Sequence, residues 1–567
     1  MSTTLRMILI PLALVALLAA AASAQPAEEE SQGAFFDKVS VDIVNVEVFV
    51  TNKKDEPVTG LTAEDFSLLV DGKPTPLTNF YAEAGGQVVT LRSRDEGTGE
   101  EEGPASPAVG APIVEERPEA QRLHLMIFVD NRNMRAANRK KSFKYLRQFL
   151  ASQLDPEDLV AVASLDTSLV FRSDFLKNRD FLGRILDEVE KGGAGEAGLS
   201  LERQQIFNDL ATGDGFTGND REILSRIQVA AQTQFNAGKA SVAALGAVIN
   251  SLAGIRGRKA ILQISDGIST NPGEAMYEAW SNRFGPQGDY TSAIGAYDLL
   301  PDFQELGRRA NAAQVTFYTL DAESNHRSFG RSAAYTGGLE NVITSTVLET
   351  SESNNRAPLE LAAIDTGGRR IEASGRLSQQ LSKIGNDFAT FYSLGFRAPE
   401  ASSREKHRIE VKVAGKGLRV RHREAYEDKG EDRRSGEAVI AALLYNSIDS
   451  ALGVSLEPLA SRSGENDTRV LPVRIKIPIS QVAFLPQGEQ HNAQLSFFVT
   501  VKDKKGNVRP VQKIPFKLRI PADKFDEAQS RTADYELPVV LQAGDQQVAI
   551  AVRDDIGGIG STRRLEL

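Results

Sequence analysis

Hydrophobic and polar residues alternate along two separate parts of the chain. In "VDIVNVEVFVT", the valines at every second position from Val44 to Val50 fall on one face of an extended strand. A second strand follows at Phe66–Val70, before the turn "DGKP", and the alternation returns in "HRIEVKV" and "LRVRHREAY". Neither part has enough strands to close a core alone. We therefore predict that residues 38–92 and 401–426 pair as one β-sandwich.

The region between them, residues 119–400, has a different pattern. Continuous apolar runs such as "RLHLMIFVD", "DLVAVASLD", "KAILQISDG", "VTFYTLD" and "TFYSLGF" alternate with segments of helical periodicity. Strands of this kind, separated by helices, indicate a mostly parallel sheet with helices on both faces. Such sheets bind ligands beyond the carboxyl ends of their strands, where Asp130 and Asp266 lie. The predicted fold class is α/β and Rossmann-like, with flanking all-β domains.

The C-terminal part, residues 438–567, begins with the short helical segment "AVIAALLYNSI" and then alternates again, as in Leu495–Thr500. Its turns "KDKKGN" and "RDDIGG" indicate hairpins, so we predict a β-sandwich of the immunoglobulin or fibronectin type. Two segments rich in charged residues and glycine have little to bury. We expect residues 93–118 to be a disordered acidic linker and residues 427–437 to be a shorter linker.

Residues 1–24 have the features of a secretory signal peptide. Arg6 precedes an apolar run from Met7 to Ala22, and small residues follow before Gln25. The run is short and lacks a basic stop-transfer flank, so we expect cleavage and no integral membrane segment afterwards. The chain has no cysteine, which excludes disulfides and thiolate metal sites. We expect an exported protein, either periplasmic or secreted.

Composition and motifs narrow the function classes. A net charge of −10 and a pI of about 5.4 give no reason to expect a nucleic-acid partner. The five histidines are scattered without metal-ligand spacing, and the chain has no G-x-S-x-G motif or P-loop. Ser332, in "FGRSAAYTGG", has no base placed beside it by the sequence. We therefore expect a protein that is not an enzyme.

Three motifs of the central region resemble the von Willebrand factor A domain family. They are "FVDNRNM" at the place of the family's D-x-S-x-S loop, "GRKAILQISDG" as its aspartate-bearing strand, and "DTGGRRIEASGRLSQQLSKIGNDFATFYSLGF" at its end. With the flanking "VFVTNKKDEPVTGLTAEDFSLLVDGKP" and "RVRHREAY", the similarity extends over roughly residues 38–426 and is to the VWFA-related exported proteins common in acidobacteria. The resemblance implies a protein-binding domain in which two aspartates, two serines and a threonine hold a divalent cation, and the bound partner supplies a further carboxylate.

Compared residue by residue with the family, this metal-binding motif is degenerate. In the order aspartate, serine, serine, threonine and aspartate, its positions hold Asp130, Arg132, Met134, Lys239 and Asp266. If the register slips, Ser241 takes the threonine position. Arginine, methionine and lysine offer no oxygen to a hard cation, so only the two aspartates remain as family ligands.

Two carboxylates that converge at the mouth of a sheet repel each other, so a positive charge must lie between them or one must bind a proton. We predict that Arg132 and Lys239 supply that charge and that the site binds no metal and no cofactor. One alternative is that the cluster is only structural. Another is a loosely held Ca²⁺ or Mg²⁺ ion, whose ligands would be Asp130, Asn131, Asn133 and Asp266.

An aromatic insertion, residues 273–301, follows the strand that ends at Asp266. Because it leaves the ligand-facing edge of the sheet, its aromatic side chains are candidates for a recognition rim. They are Tyr277, Trp280, Phe284 and Tyr290. The alternative is that these rings pack back onto the domain to fix a long loop.

These features predict an exported, non-enzymatic, adhesion-like binding protein. We expect its partner to be a protein or an envelope polymer, bound at the rim of the central domain, with the β-domains as supports. A divalent-cation-dependent adhesin that uses Asp130 and Asp266 is one alternative, and a purely architectural envelope protein is another.

Overall fold

The computed structural model describes residues 43–93, 121–192, 197–212, 219–285, 290–322, 344–372, 376–398, 406–464, 468–504, 506–542 and 544–567. All of them belong to one compact unit, Val41–Leu567. The predicted signal peptide, residues 1–24, and residues 94–118 of the predicted linker lie outside the described residues. Among the helices that are described, none combines the length and the apolar composition that crossing a bilayer requires.

Twenty-four strands lie in the described residues. In chain order they are β1 (Ile43–Thr51), β2 (Phe66–Val70), β3 (Lys73–Thr75), β4 (Asn79–Ala84), β5 (Gln87–Ser93), β6 (Leu123–Val129), β7 (Leu159–Leu165), β8 (Leu169–Phe171), β9 (Arg258–Ser265), β10 (Val315–Asp321), β11 (Arg369–Glu372), β12 (Phe391–Arg397), β13 (Lys406–Val413), β14 (Arg419–His422), β15 (Ala425–Glu427), β16 (Ser455–Pro458), β17 (Arg462–Ser463), β18 (Arg469–Pro478), β19 (Leu485–Gln487), β20 (Gln490–Asp503), β21 (Gln512–Pro521), β22 (Thr532–Leu541), β23 (Asp545–Asp554) and β24 (Gly560–Glu566).

The same residues contain eleven α-helices. They are α1 (Ala136–Ser152), α2 (Arg179–Lys191), α3 (Ala197–Thr212), α4 (Asn219–Leu252), α5 (Glu274–Phe284), α6 (Tyr290–Gly295), α7 (Leu300–Ala312), α8 (Ser345–Asp365), α9 (Leu377–Ala389), α10 (Glu431–Tyr445) and α11 (Phe525–Gln529).

The central sheet has six strands in the order β11-β10-β9-β6-β7-β8. All neighbours pair in parallel except β8, which pairs antiparallel with β7 at one edge. Helices α1, α2 and α9 pack on one face of this sheet, and α4 and α7 pack on the other. Burial on both faces explains the continuous apolar runs of β6, β7 and β10. The predicted Rossmann-like α/β class, with additional antiparallel sheets, is confirmed.

The strand "TFYSLGF" has a different place from the one predicted. We predicted it as the last strand of the central region, but β12 pairs antiparallel with β1 and β4, and β11 takes the edge position of the central sheet. Tyr392, Leu394 and Phe396 face the core of the N-terminal sandwich, whereas Phe391 packs with Phe49 on the other side. Because β12 is buried on both faces, its pattern cannot be distinguished from that of a parallel strand.

Two sheets form the N-terminal sandwich, in the orders β14-β1-β12-β4-β5 and β15-β13-β2-β3. Val46 and Val48 of β1 are completely buried between them, as the alternating pattern requires. Strand β13, which follows the central domain, pairs antiparallel with β2, which precedes it, so that Ile409 lies opposite Val70. The sandwich is therefore built from segments on both sides of the central domain.

Residues 427–437, predicted as a linker, contribute instead to β15 and to the first turns of α10. One face of α10 packs on the central domain through Ala441, Leu444 and Tyr445. The other face packs on the C-terminal sandwich, through Val439, Ala442 and Leu443. The beginning of this helix has no apolar residue from Glu431 to Glu437, which explains why periodicity did not reveal it.

The C-terminal sandwich has the predicted two-layer arrangement. One sheet contains β16, β17, β18 and β22, and the other contains β19, β20, β21, β23 and β24. Alternating residues of the long strands β18 and β20, such as Val473, Ile475, Leu495 and Phe497, are buried between the sheets. This sandwich contacts the central domain through α10.

The turn between α4 and β9 gives the first testable prediction. A Cβ at Gly254 would overlap the backbone carbonyl group of Glu437 in α10. We expect Gly254→Ala to lower the free energy of unfolding by about 2 kcal/mol, because a clash with backbone cannot be relieved by a rotamer change. Urea unfolding measures the loss. Gly183→Ala in α2 is the matched control, since a Cβ there meets nothing within 4 Å. Equal effects of the two substitutions would contradict the close docking of α10.

Candidate functional site

Asp130 follows β6 at the carboxyl edge of the central sheet and is completely buried. Its backbone N–H donates to the carbonyl oxygen of Ile264 on β9 at 3.0 Å. The Nδ2 group of Asn133 donates to Asp130 Oδ2 at 2.8 Å, and the backbone N–H of Asn133 donates to Oδ1 at 3.3 Å. Asp130 is the N-cap of a single 3-10 turn, Asn131–Asn133, which folds these amides back onto the carboxylate.

Ser241 in α4 completes the contacts of Asp130. Its hydroxyl oxygen accepts a hydrogen bond from Asn133 Nδ2 at 2.8 Å, and its side chain also hydrogen-bonds to the Asp130 carboxylate. Ser241 is completely buried. The slipped register, with Ser241 at the threonine position of the family motif, is the one that this geometry fits.

Of the two residues predicted to bridge the aspartates, Lys239 pairs with another residue, and Arg132 acts on Asp130 only through its charge. The Lys239 ammonium is 2.8 Å from both carboxylate oxygens of Asp302, and it is two residues from Ser241 along α4, so the two side chains leave the helix in different directions. The Met134 side chain is buried in the core beneath the sheet. Arg132 favours the ionised form of Asp130 through its charge, but more weakly than the amide hydrogen bonds do. The predicted closure by Arg132 and Lys239 is therefore corrected to closure by amide groups.

Asp266, at the end of β9, is held by the start of α1. Its Oδ2 accepts from the backbone N–H of Arg135 at 2.8 Å and from Asn138 Nδ2 at 2.9 Å. Its backbone N–H donates to the carbonyl oxygen of Asn133 at 2.9 Å. The sequence prediction missed Asn138. The one signal that distinguishes it from other polar helix residues is its position one turn after the aspartate loop.

Asn131 connects the loop to the neighbouring strand. Its Nδ2 donates to Asp166 Oδ1 at 2.8 Å and to the carbonyl oxygen of Val189 at 3.0 Å. Asp166 follows β7 and also pairs with Arg172 at 2.6 Å. Asp166 too was missed, although its signal, an aspartate directly after an apolar strand, is the same as that of Asp130.

A hard divalent cation would compete with the hydrogen bonds of this site. Such a cation needs oxygen atoms around it, but Asn133 and Asn138 direct N–H groups at the two carboxylates. The alternative ligand Asn131 likewise directs its N–H group at Asp166. Neutral donors thus occupy Asp130 Oδ2 and Asp266 Oδ2.

Burial sets the protonation of the site. It raises the pKa of Asp130 to about 6, against the opposing influence of the hydrogen bonds from Asn133 and Ser241 and of the charge of Arg132. Near neutral pH this carboxyl group is therefore mostly, but not entirely, ionised. Burial thus makes proton uptake easier for Asp130 than for an exposed aspartate, although the ionised form predominates at neutral pH.

The aromatic side chains predicted to form a recognition rim pack inward. Tyr277 is completely buried and Trp280 is 2% exposed, in a cluster with residues of α3 and α4 such as Phe207 and Ile227. Phe284 is partly buried against the same cluster. The side chain of Tyr290 lies outside the described residues. These rings fix the insertion, and the prediction of a ligand-facing rim is wrong for Tyr277 and Trp280.

Ser332 lies outside the described residues. His124 lies near the amino end of β6, away from Asp130, and its ring contacts the Phe175 ring edge-on at 5.1 Å between centroids. It is a packed core histidine.

Comparison with known proteins gives similarity of structure only. No family model matches the chain, and no curated protein is similar to it in sequence. An aerotolerance-related membrane protein from Bacteroides fragilis is 13% identical, covers 47% of this chain and 98% of its own, and has a TM-score of 0.21. The manganese-loaded TRAP protein of Plasmodium vivax is 9% identical over 54% of this chain and 95% of its own, with a TM-score of 0.22.

A von Willebrand factor type A protein from Catenulispora acidiphila is 7% identical over 93% of this chain and 72% of its own, with a TM-score of 0.21. Because all these scores are low, the assignment of the fold depends on the strand order of the central sheet. That order is the doubly wound arrangement of two halves that meet at β6 and β9. Asp130 and Asp266 follow these two strands, at the point where the strand order reverses.

Proposed function

We propose that this chain, whose central domain has the fold of von Willebrand factor A domains, is an exported binding protein that needs no divalent cation. Its partner would be a protein or an envelope polymer, bound at the carboxyl edge of the central sheet, where Asp130 and Asp266 lie. The observation that carries the proposal is the Asn133 amide group, which bonds both Asp130 and Ser241 where the family holds its ion.

The internal closure of the site also argues against a role in catalysis. Asp130 and Ser241 are completely buried and bonded to each other and to Asn133, so neither side chain is presented to a substrate. A partner would instead contact the exposed surface around this edge, while the loop beneath it stays fixed. This distinguishes the proposal from an adhesin in which the partner completes the coordination of a metal ion.

Calorimetric titration with Mn²⁺, Mg²⁺ and Ca²⁺ tests the absence of a metal requirement. We expect no saturable heat with any of the three ions, because each would have to displace the amide donors of Asn133 and Asn138 from the carboxylates. Asp130→Ala should give the same flat titration. Micromolar binding that this substitution abolishes would instead establish the cation-dependent adhesin.

A purely architectural role is the second candidate, and the packing of α10 favours it. This helix lies between the central domain and the C-terminal sandwich and contacts both through apolar side chains. A chain built to hold its modules together in this way would serve as a spacer as readily as a receptor.

Capture from envelope extract separates these two roles. The full exported chain, immobilised, should retain a specific protein or polymer equally with and without chelator. Substitution of exposed residues at the carboxyl edge of the central sheet should reduce this retention. Substitution of exposed residues on the C-terminal sandwich should not reduce it. Retention that depends on neither surface would support the architectural role.

A further inference from the structure

Four basic side chains are buried where the N-terminal sandwich, the central sheet and the start of α10 meet. Arg258 and Lys259 begin β9 and are each 4% exposed. Arg423 follows β14 and is 5% exposed, and the side chain of Lys429, just before α10, is 10% exposed. A buried positive charge is unfavourable unless a negative charge lies close to it.

Two carboxylates lie near these four groups. Glu437 pairs with Lys429 at 2.6 Å, and Glu47 lies 3.5 Å from Arg258 Nε. Glu47 also acts on Arg423, but from a distance at which no hydrogen bond forms. In the part of the chain that the structure describes, neither Lys259 nor Arg423 has a carboxylate of its own. The cluster therefore has more buried positive than negative charge.

The hydrogen-bonding capacity of these two cations is also incomplete. Lys259 Nζ donates to the carbonyl oxygen of Ile255 at 3.0 Å, which uses one of its three N–H groups. Arg423 Nη1 is buried and has no hydrogen-bond partner among the described residues. Native proteins rarely leave buried charged donors unsatisfied, so these donors are available to a bound anion.

We propose that Lys259 and Arg423, with Lys429 beside them, bind a small inorganic oxyanion such as phosphate or sulfate at this junction. A guanidinium fork and an ammonium group are the side chains that proteins use for such anions. The anion would supply the missing negative charge and accept the free N–H donors. It would also connect three parts of the chain, because Arg423 follows the sandwich strand β14, Lys259 belongs to the central sheet and Lys429 precedes α10.

The site should bind more tightly at lower pH. Burial and the charges of Lys429 and Arg423 lower the pKa of Lys259 to about 7, against the opposite influence of Glu437 and Glu47. His124 lies opposite Lys259 on β6, and burial together with the charge of Lys259 lowers its pKa to about 4, so it stays neutral throughout the range that matters. Since the ammonium form of Lys259 binds the anion, binding should weaken as pH rises through 7.

Equilibrium dialysis of the full exported chain against radiolabelled inorganic phosphate tests the site directly. With ionic strength held constant by sodium gluconate, radiolabelled sulfate, which stays a dianion from pH 6 to pH 8, should bind about tenfold tighter at pH 6 than at pH 8. Phosphate itself changes charge near pH 7, so it is used at pH 6 only, where we expect saturable binding of a single phosphate. Sulfate should displace it. Absence of saturable binding at pH 6, or displacement by chloride as effective as that by sulfate, would overturn the proposal.

Variants locate the binding. Lys259→Met and Arg423→Gln should each lose phosphate binding, and Arg419→Gln should keep it, because Arg419 is an exposed arginine of the same strand region. Thermal unfolding establishes which variants are folded, and the wild-type dialysis decides the question if the buried substitutions do not fold. Equal binding by all three folded variants would place the phosphate elsewhere and contradict the site.

Discussion

Asp387→Ala is expected to lower the free energy of unfolding by about 3 kcal/mol, because it leaves two partly buried guanidinium groups without their common carboxylate. Asp387, in α9, is 3% exposed. Arg369 Nε donates to its Oδ2 at 2.8 Å, and Arg421 Nη2 donates to its Oδ1 at 2.6 Å. Urea unfolding, followed at the first transition, measures the loss.

The size of this effect follows from the position of Asp387 between two domains. Arg421 belongs to the sandwich strand β14 and also donates to the carbonyl oxygens of Gly367 and Gly368 at 2.9 and 3.0 Å. Arg369, in β11, also pairs with Asp55 of the sandwich at 2.7 Å. Burial opposes the charge of Arg369, but its ion pairs with Asp387 and Asp55 outweigh this and raise its pKa further. Removing Asp387 therefore weakens the attachment of the sandwich to the central domain.

An exposed aspartate provides the control. Asp187 pairs with Arg147 at 2.5 Å, but its side chain is 55% exposed. We expect Asp187→Ala to cost about 1 kcal/mol or less, as surface ion pairs do. If Asp387→Ala cost no more than this control, the network would be a surface-like contact and the two domains would not be coupled through it.

The sequence predicts the fold class of the central domain correctly, but it does not reveal the edge strand of the central sheet. Strands β6, β7 and β10 are long, apolar and separated by helices, which is the pattern of a sheet buried on both faces. The edge strand β11 is only four residues, "RRIE", and has little apolar content. Pattern alone therefore assigned its place to β12, whose two buried faces belong to the sandwich and to the interface with the central domain.

The candidate site was predictable where strand ends define it. Asp130 and Asp266 follow apolar strands, so their convergence could be read from the sequence. Ser241 could not be placed, because α4 is 34 residues long and nothing along it fixes the alignment. For Trp280 the sequence left two alternatives open, a recognition rim and packing onto the domain, and it could not decide between them because the partners of this ring come from α3 and α4, far from it along the chain.

The pH dependence of stability should report the buried carboxyl group of Asp130. Its pKa is raised from 3.8 to about 6 in the folded chain, so the folded state binds more protons than the unfolded state between these values. The favourable contribution of its protonated form is complete below pH 4 and is lost as pH rises through 6. A difference of about two pKa units corresponds to about 3 kcal/mol.

Comparison with Asp130→Asn isolates this contribution. Other carboxyl groups whose pKa is lowered by ion pairs, such as Asp55 and Glu372, change stability in the opposite direction at low pH, and they do so in both proteins. The asparagine also weakens the hydrogen bonds with Asn133, but by an amount that does not depend on pH. The difference in unfolding free energy between wild type and variant, measured from pH 4 to pH 7, should therefore shift by about 2.4 kcal/mol against the wild type as pH rises, since part of the effect lies below pH 4. A constant difference would mean that Asp130 is ionised throughout, and this would require a positive charge or an ion beside it in place of the amide closure.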